Sequence, residues 1–216
     1  SLLCVWGSYG MAGAAVMSAK GALRTGIGLA KCALPRSIYP IVAQTILESV
    51  YYPLSENADG RISKVNVPFL VSESCKSSAT LVGCGLGVCD DTLKIVFSFI
   101  ENSTTPLVLD ADALNCVAKQ PEILLRKKAP IIITPHPGEM SRLTGLATPL
   151  VNAERERVAL DFAQKYGVVT VLKGAGTVIA SPNGKVLVNP TGNSGMATGG
   201  SGDAVSYTHL RAHETS

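Results

Sequence analysis

Charge is scarce in this chain: 16% of its 216 residues are Asp, Glu, Lys or Arg, against 46% hydrophobic. A disordered chain needs the reverse balance, so a packed globule is expected. The net charge of +3 is too small for bulk attraction to nucleic acid, and no Lys/Arg block stands out. Nucleic acid is therefore set aside as a partner, although the basic surplus can help an anionic ligand approach. No apolar run reaches the roughly 20 residues of a membrane span, so no membrane partner is expected. No leader is recognised, although Ser1-Leu2-Leu3-Cys4 reads like the middle of a gene. The six cysteines include no C-x-x-C pair, and two of the three histidines lie in the last eight residues. That argues against a His/Cys metal site and assigns no metal ligand. Buried thiols in a reducing cytosol, hence a cytoplasmic protein, are the expectation.

Short β-rich runs alternate with helix-length segments. Strands are expected at Leu2–Trp6, Ile27–Ala33, Ser49–Pro53, Ala79–Gly83, Pro106–Asp110, Pro130–Thr134 and Val168–Lys173. Runs such as Leu107-Val108-Leu109 and Ile131-Ile132-Ile133 are apolar without alternation, as in strands covered on both faces. Helices are expected at Ala12–Arg24, Thr92–Glu101 and Asn152–Tyr166, the last with Asn152 as N-cap and Gly167 as stop. The alternation predicts an α/β fold with a mostly parallel sheet between helices. Thr177–Ser181 and Lys185–Asn189 read as a hairpin whose Asn183-Gly184 supplies positive φ angles. Residues 1–204 read as one domain. Residues 205–216, with VSYTHLRAHET, resemble a translated sequencing adapter and are set aside as a non-native tail, with a genuine surface tail as the alternative.

Five segments can carry chemistry. In Asn189–Asp203, NPTGNSGMATGGSGD, glycines admit close approach to a ligand. If Gly200, Ser201 and Gly202 open a helix, their N–H groups form an anion site. Asp203 would face the same spot, where a carboxylate makes sense as a base taking a proton from a reacting hydroxyl; a flexible loop with a capping Asp is the alternative. Lys173, ahead of Gly174-Ala175-Gly176-Thr177, can set an ammonium and bare N–H groups against phosphates, or can simply be solvated. In Thr134-Pro135-His136-Pro137-Gly138-Glu139 two prolines hold His136 at a strand end, as a ligand contact or as a structural histidine bonded to backbone. Glu139 caps the helix that follows or touches a metal-bound phosphate. Asp110, Asp112 and Asn115 can line the same crevice, with Asp112 equally able to be an N-cap. Finally, Gly7–Ala15 and Gly83-Cys84-Gly85-Leu86-Gly87 are tight turns after strands. Neither is a Walker A sequence, and the first lacks G-x-G-x-x-G spacing and an acidic ribose partner, which disfavours a Rossmann oxidoreductase.

Taken in order, GSYGMAGAAVMSAKGALRTGIGL, GCGLG, LVLDADALN, ITPHPGE, VLKGAGTVIASPNG and NPTGNSGMATGGSGD resemble the NAD(P)H-hydrate dehydratase family of ribokinase-like proteins, over about Gly7 to Asp203. The resemblance implies a three-layer α/β/α sandwich and a repair lyase. Such an enzyme uses ADP or ATP, with Mg2+, to dehydrate NADH or NADPH hydrate; the bacterial look of the motifs favours ADP. It places nucleotide contacts on Lys173, Gly174, Ala175, Gly176, Thr177 and Gly202, and hydrate contacts on Ala14, Gly85, His136 and Asp203. It also brings in an epimerase, fused or separate, and leaves a homo-oligomer open. The family pattern is missing before the first strand. Beyond Asp203, where further helices would pack on the sheet, the adapter-like tail stands instead. Poor folding or inactivity of the chain as written is therefore expected. Two rivals remain: a ribokinase-fold kinase for a vitamin precursor or sugar, and a nucleotide-binding module without catalysis.

Overall fold

The structure, a computed structural model, describes residues 1–191. Nine strands form one sheet: β1 Leu2–Val5, β2 Ala30–Pro35, β3 Val50–Leu54, β4 Ala79–Val82, β5 Leu107–Leu109, β6 Ile131–Ile133, β7 Val169–Leu172, β8 Thr177–Ala180 and β9 Val186–Asn189. Their spatial order is β3-β2-β1-β4-β5-β6-β7-β8-β9. Pairing is parallel from β3 through β7 and antiparallel at β7–β8 and β8–β9. The helices are α1 Ala12–Arg24, α2 Tyr39–Ala43, α3 Val67–Cys75, α4 Asp90–Asn102, α5 Asp112–Val117, α6 Pro137–Thr144, α7 Thr148–Ala153 and α8 Arg155–Tyr166, with 3-10 turns at Lys64–Asn66 and Pro121–Arg126.

Unbroken apolar strands bury both faces, and the core splits accordingly. One cluster joins Leu3, Val5, Val82, Leu109 and Ile133 to helices α3 through α8. The other joins Cys4, Trp6, Cys32 and Leu81 to Ala15, Ala19 and Ala22 of α1 and Val42 of α2. The small buried face of α1 lets its backbone lie close to the sheet. This is the layered α/β arrangement expected of the sequence. No helix among the described residues is long and apolar enough to cross a membrane.

Several boundaries differ from expectation. The second strand begins at Ala30 rather than Ile27, because the chain leaving α1 is still turning at Gly26, with φ +88°. Pro53 falls inside β3, tolerated because β3 is an edge strand among the described residues, with one side unpaired there. The helix expected over Asn152–Tyr166 is two helices, broken at Glu154 with φ −126° and ψ 41°. Asn152 is therefore inside α7 and not an N-cap, whereas Gly167 does end α8 in the left-handed region. In the β8–β9 hairpin only Gly184 has positive φ. The Gly184 N–H donates to Ser181 O and Ser181 N–H to Lys185 O. Pro182, held near φ −65°, imposes a right-handed turn over Pro182-Asn183, and the single left-handed residue follows it. Helices α2 and α3 have no periodicity that announces them; each carries a proline in its first turn, Pro40 and Pro68, which presets φ there.

Candidate functional site

The chain runs outward from β1 to β2 and β3, then returns to lay β4 on the other side of β1. This reversal sets the carboxyl ends of β1 and β4 side by side, the position at which open parallel sheets hold ligands. The two glycine-rich turns meet there. Gly7 N–H donates to Cys84 O at 2.9 Å, and Ser8 Oγ to Gly85 O at 2.8 Å. A Cβ on Gly85 would lie 2.9 Å from the Ala14 Cβ and 3.1 Å from that of Met11. Ala14 and Gly85, the expected hydrate contacts, are thus packed on one another, α1 meeting the turn after β4. Ala14 is itself buried.

The ends of β5, β6 and β7 supply the second half. Lys173 Nζ lies 2.7 Å from Asp110 Oδ1, with the lysine side chain 15% exposed and the aspartate 1%. A solvated lysine is thereby ruled out: the ammonium points into the sheet end. Burial pulls its pKa down, but Asp110 and Glu139 outweigh that and hold it above the ordinary value. Asp110 Oδ1 also accepts Ala111 N–H at 2.8 Å, at the one described non-glycine residue with positive φ, +49°. The main chain after β7 is tied to the loop after β6 by Lys173 N–H donating to Pro135 O at 2.8 Å.

His136 proves to be the N-cap of α6. Its Nδ1 accepts from Gly138 N–H at 3.0 Å and Glu139 N–H at 3.4 Å, while Glu139 Oε2 accepts His136 N–H at 2.8 Å. This reciprocal capping box satisfies orphan donors at the helix start. The structural and ligand readings of His136 are compatible, because the ring is about half exposed. Burial lowers its pKa, with Lys173 and Arg142 adding to the effect, so the ring is a neutral group with Nδ1 as acceptor. Glu139 does cap the helix, but it is 5% exposed, and burial pushes its carboxyl up to about 7 against the opposing pull of Lys173.

A sign follows for stability. Unfolded, this carboxyl ionises near 4.5; folded, near 7. Its contribution is neutral below pH 4.5, turns unfavourable as pH rises through that window, and is fully unfavourable above 7. Glu139→Gln keeps an oxygen acceptor for His136 N–H and removes the charge. It is expected to stabilise the protein by about 1–3 kcal/mol at pH 8 and hardly at all at pH 4.5, read from urea midpoints. A pH-independent difference would refute the assigned burial effect.

The two halves are joined by side chains that the sequence left ambiguous. Asp112 is not an N-cap, a position held by Ala111. Its Oδ2 accepts Gly87 N–H at 2.8 Å, its Oδ1 accepts from Asn115, and Arg142 Nε donates to Asn115 Oδ1 at 2.8 Å. A polar chain thus runs from the switch-point turn to α6. Gly174, Ala175, Gly176 and Thr177 form the turn into β8, beside a groove of about 610 Å³ lined by Arg155, Gly176, Val178 and Val188. Arg155, which sequence reasoning passed over, reaches this turn from α8. The available signal was a cation at a helix start, where the dipole opposes it. Gly200, Ser201, Gly202 and Asp203 lie outside the described residues, as does the tail.

Among the described residues no group of three or more His, Cys, Asp or Glu is placed to hold a metal. Asp110 and Glu139 are buried and already engaged by Lys173, Ala111 N–H and His136, so a Mg2+ here would be carried mainly by the phosphates of a nucleotide. The thiols of Cys32 and Cys116 are buried, and burial pushes both up to about 11, as for structural cysteines.

The family model described as NAD(P)H-hydrate dehydratase matches residues 2–206. A bifunctional NAD(P)H-hydrate repair enzyme of Moorella thermoacetica is 38% identical over 204 residues, covering 94% of this chain and 38% of that protein. The chain thus spans about two fifths of the length of such relatives. The ADP/ATP-dependent NAD(P)H-hydrate dehydratase of Bacillus subtilis, crystallised with ATP and Mg2+, superposes with a TM-score of 0.77 at 31% identity, over 95% of this chain and 69% of that one. A ribokinase-like superfamily protein of Enterococcus faecalis superposes at 0.79 with 22% identity, over 95% and 68%, and so shares the fold. The sheet between helices, the switch-point turns and these likenesses lead to one statement: the chain belongs to the NAD(P)H-hydrate dehydratase family and has the ribokinase-like fold.

Proposed function

We propose that this chain carries out the nucleotide-dependent dehydration of NADH or NADPH hydrate, a hydro-lyase reaction of cofactor repair, with ADP preferred over ATP. The observation that carries this is the meeting of Lys173, Asp110, His136 and Glu139 at the ends of β5–β7, beside the turns that pack Ala14 on Gly85. One ligand belongs at each half. Lys173 through Thr177, with Gly202, hold the nucleotide; Ala14, Gly85, His136 and Asp203 hold the hydrate. Mg2+ bound with the nucleotide would offset phosphate charge. His136 has its Nδ1 occupied as a helix cap and its Nε2 3.4 Å from Glu139 Oε1, so it meets the hydrate through the exposed half of its ring.

Asp203 acts as the base. It takes the proton of the ring hydroxyl, whose oxygen attacks the terminal phosphorus as the bridging P–O bond breaks and AMP (from ADP) or ADP (from ATP) leaves, while the N–H groups of Gly200, Ser201 and Gly202 meet the phosphoryl charge. The carbon–oxygen bond then breaks with loss of a ring proton, releasing phosphate and restoring the dihydronicotinamide. Hydrate labelled with heavy oxygen in that hydroxyl should pass the label to phosphate; unlabelled phosphate would sink this order of steps. Asp203→Asn should lower turnover ~10²-fold or more while nucleotide affinity stays within a few-fold. Equal turnover in the variant would remove Asp203 from the role of base.

The direct test is incubation with NADH hydrate and either ADP or ATP, followed by absorbance of the reduced nicotinamide. Recovery of that absorbance with inorganic phosphate release supports the lyase. A phosphorylated alcohol from a vitamin precursor or sugar would mark a kinase instead, and nucleotide binding without turnover a regulatory module. The bifunctional relatives, of which this chain matches only a part, support an epimerase acting beside it, fused or separate. The repair role and the buried thiols of Cys4, Cys32, Cys84 and Cys116 support a cytoplasmic setting.

A further inference from the structure

The turn Leu172–Gly176 is wrapped around one guanidinium. Arg155 Nη2 donates to Leu172 O at 2.8 Å, to Lys173 O at 3.2 Å and to Gly176 O at 3.4 Å. A Cβ on Gly174 would stand 3.0 Å from Arg155 Nη1 and 3.1 Å from Nη2, so the plane of the guanidinium lies directly beneath that residue. Arg155 is the first residue of α8, freed to turn toward β7 by the break at Glu154. A cation there opposes the helix dipole, so its own helix gives no reason for it.

Planar trans peptides set each carbonyl antiparallel to the following N–H, and the described chain has no cis bond. With the carbonyls of Leu172, Lys173 and Gly176 drawn onto Arg155, the N–H groups of Lys173, Gly174 and Thr177 are turned to the opposite side. That of Lys173 reaches Pro135 O, as this geometry requires. The same constraint presents the Gly174 N–H outward, on the side of the turn away from the guanidinium. Carbonyl oxygens facing a phosphate would repel it; amide N–H groups attract it. All three bonds come from Nη2, whose two hydrogens are shared among the carbonyls, and the rigid guanidinium plane fixes that nitrogen where a freely rotating ammonium would not.

We propose that Arg155 is a positioning residue for the nucleotide: it touches no ligand, but turns the carbonyls of Leu172, Lys173 and Gly176 inward and so presents the Gly174 N–H toward phosphate. This rests on the reading of that turn as the nucleotide site. Arg155→Ala should raise the Kd and KM for ADP or ATP tenfold or more and leave the KM for the hydrate within twofold. Arg155→Lys should fall between, with nucleotide affinity weakened at least threefold. A purely structural arginine would lower the melting temperature in both variants without changing nucleotide affinity, and that result overturns the inference. Should Arg155→Ala not fold, the lysine variant decides alone, an unchanged Kd being the overturning outcome. Hydrogen exchange of the unsubstituted protein with and without ADP separates this from the underlying reading. Protection across residues 173–177 with unchanged Kd in the variants defeats only the role of Arg155. No protection there defeats the nucleotide site itself, and the inference with it.

Discussion

Gly83→Ala is expected to destabilise the protein by about 4 kcal/mol or more, enough to abolish cooperative folding in a marginally stable domain. Gly83 follows β4 with φ +134°, a conformation L side chains rarely adopt, and its added Cβ would lie 1.8 Å from Asp110 O and 2.9 Å from the Ala113 Cβ. The obstacle is backbone on the neighbouring strand's exit, so no rotamer change relieves it. The main chain has little room to retreat, because Gly83 N–H is bonded to Val5 O at 3.1 Å. Relief would require separating the turns after β4 and β5, which breaks the frame that carries Asp110. By contrast, Gly13→Ala has open space at its Cβ and lies within α1, where alanine is the better helix former. That variant should be neutral to slightly stabilising, by up to about 1 kcal/mol. Urea titration of both, monitored by far-ultraviolet circular dichroism, checks the contrast. A Gly83→Ala protein with a normal midpoint would show that the strand exits are not in the close contact described.

The second large effect concerns the buried ion pair. Lys173→Ala is expected to destabilise by about 3–5 kcal/mol, because it strips a carboxylate that is 1% exposed of its ammonium counter-charge. Asp110→Ala should act comparably on the lysine and also removes the acceptor for Ala111 N–H, which supports a residue held at φ +49°. Asp110→Asn keeps that acceptor and should be milder than Asp110→Ala. The double variant Asp110→Ala with Lys173→Ala should lose less than the sum of the singles by about 1–3 kcal/mol, since no buried charge is left over. Equilibrium denaturation of the four proteins closes the cycle; strict additivity would mean that the two groups do not interact across 2.7 Å. Because Lys173 belongs to the proposed nucleotide site, nucleotide affinity should fall in every variant that moves its ammonium.

Most of the sheet was legible before the structure. Seven parallel strands were placed within a few residues, since apolar runs such as Leu107–Leu109 and Ile131–Ile133 have no other place than a doubly covered sheet. Helix α1 was found at its observed limits because its small apolar residues recur at helical spacing. The break at Glu154 was not legible, since periodicity runs through it from Val151 to Tyr166. The hairpin turn was assigned the wrong geometry because Asn183-Gly184 was weighed without the constraint from Pro182. Around the site, residue types announced themselves at Lys173 and His136, but partners did not. That Lys173 meets Asp110, 63 positions earlier, depends on β5, β6 and β7 lying side by side.

By itself the sequence determined the α/β class, the succession of elements and the residue types gathered at strand ends, because local patterning is written within windows of a few residues. Only the tertiary structure decided the strand order and its reversal beside β1. That reversal brings Gly85 against Ala14, the pairing of β4 with β5 makes Asp112 a tie to Gly87, and the packing of α8 on β7 sets Arg155 beneath the Lys173–Thr177 turn. These contacts join segments far apart along the chain, and nothing in their own neighbourhoods encodes the partner. Packing of the whole sheet selects it.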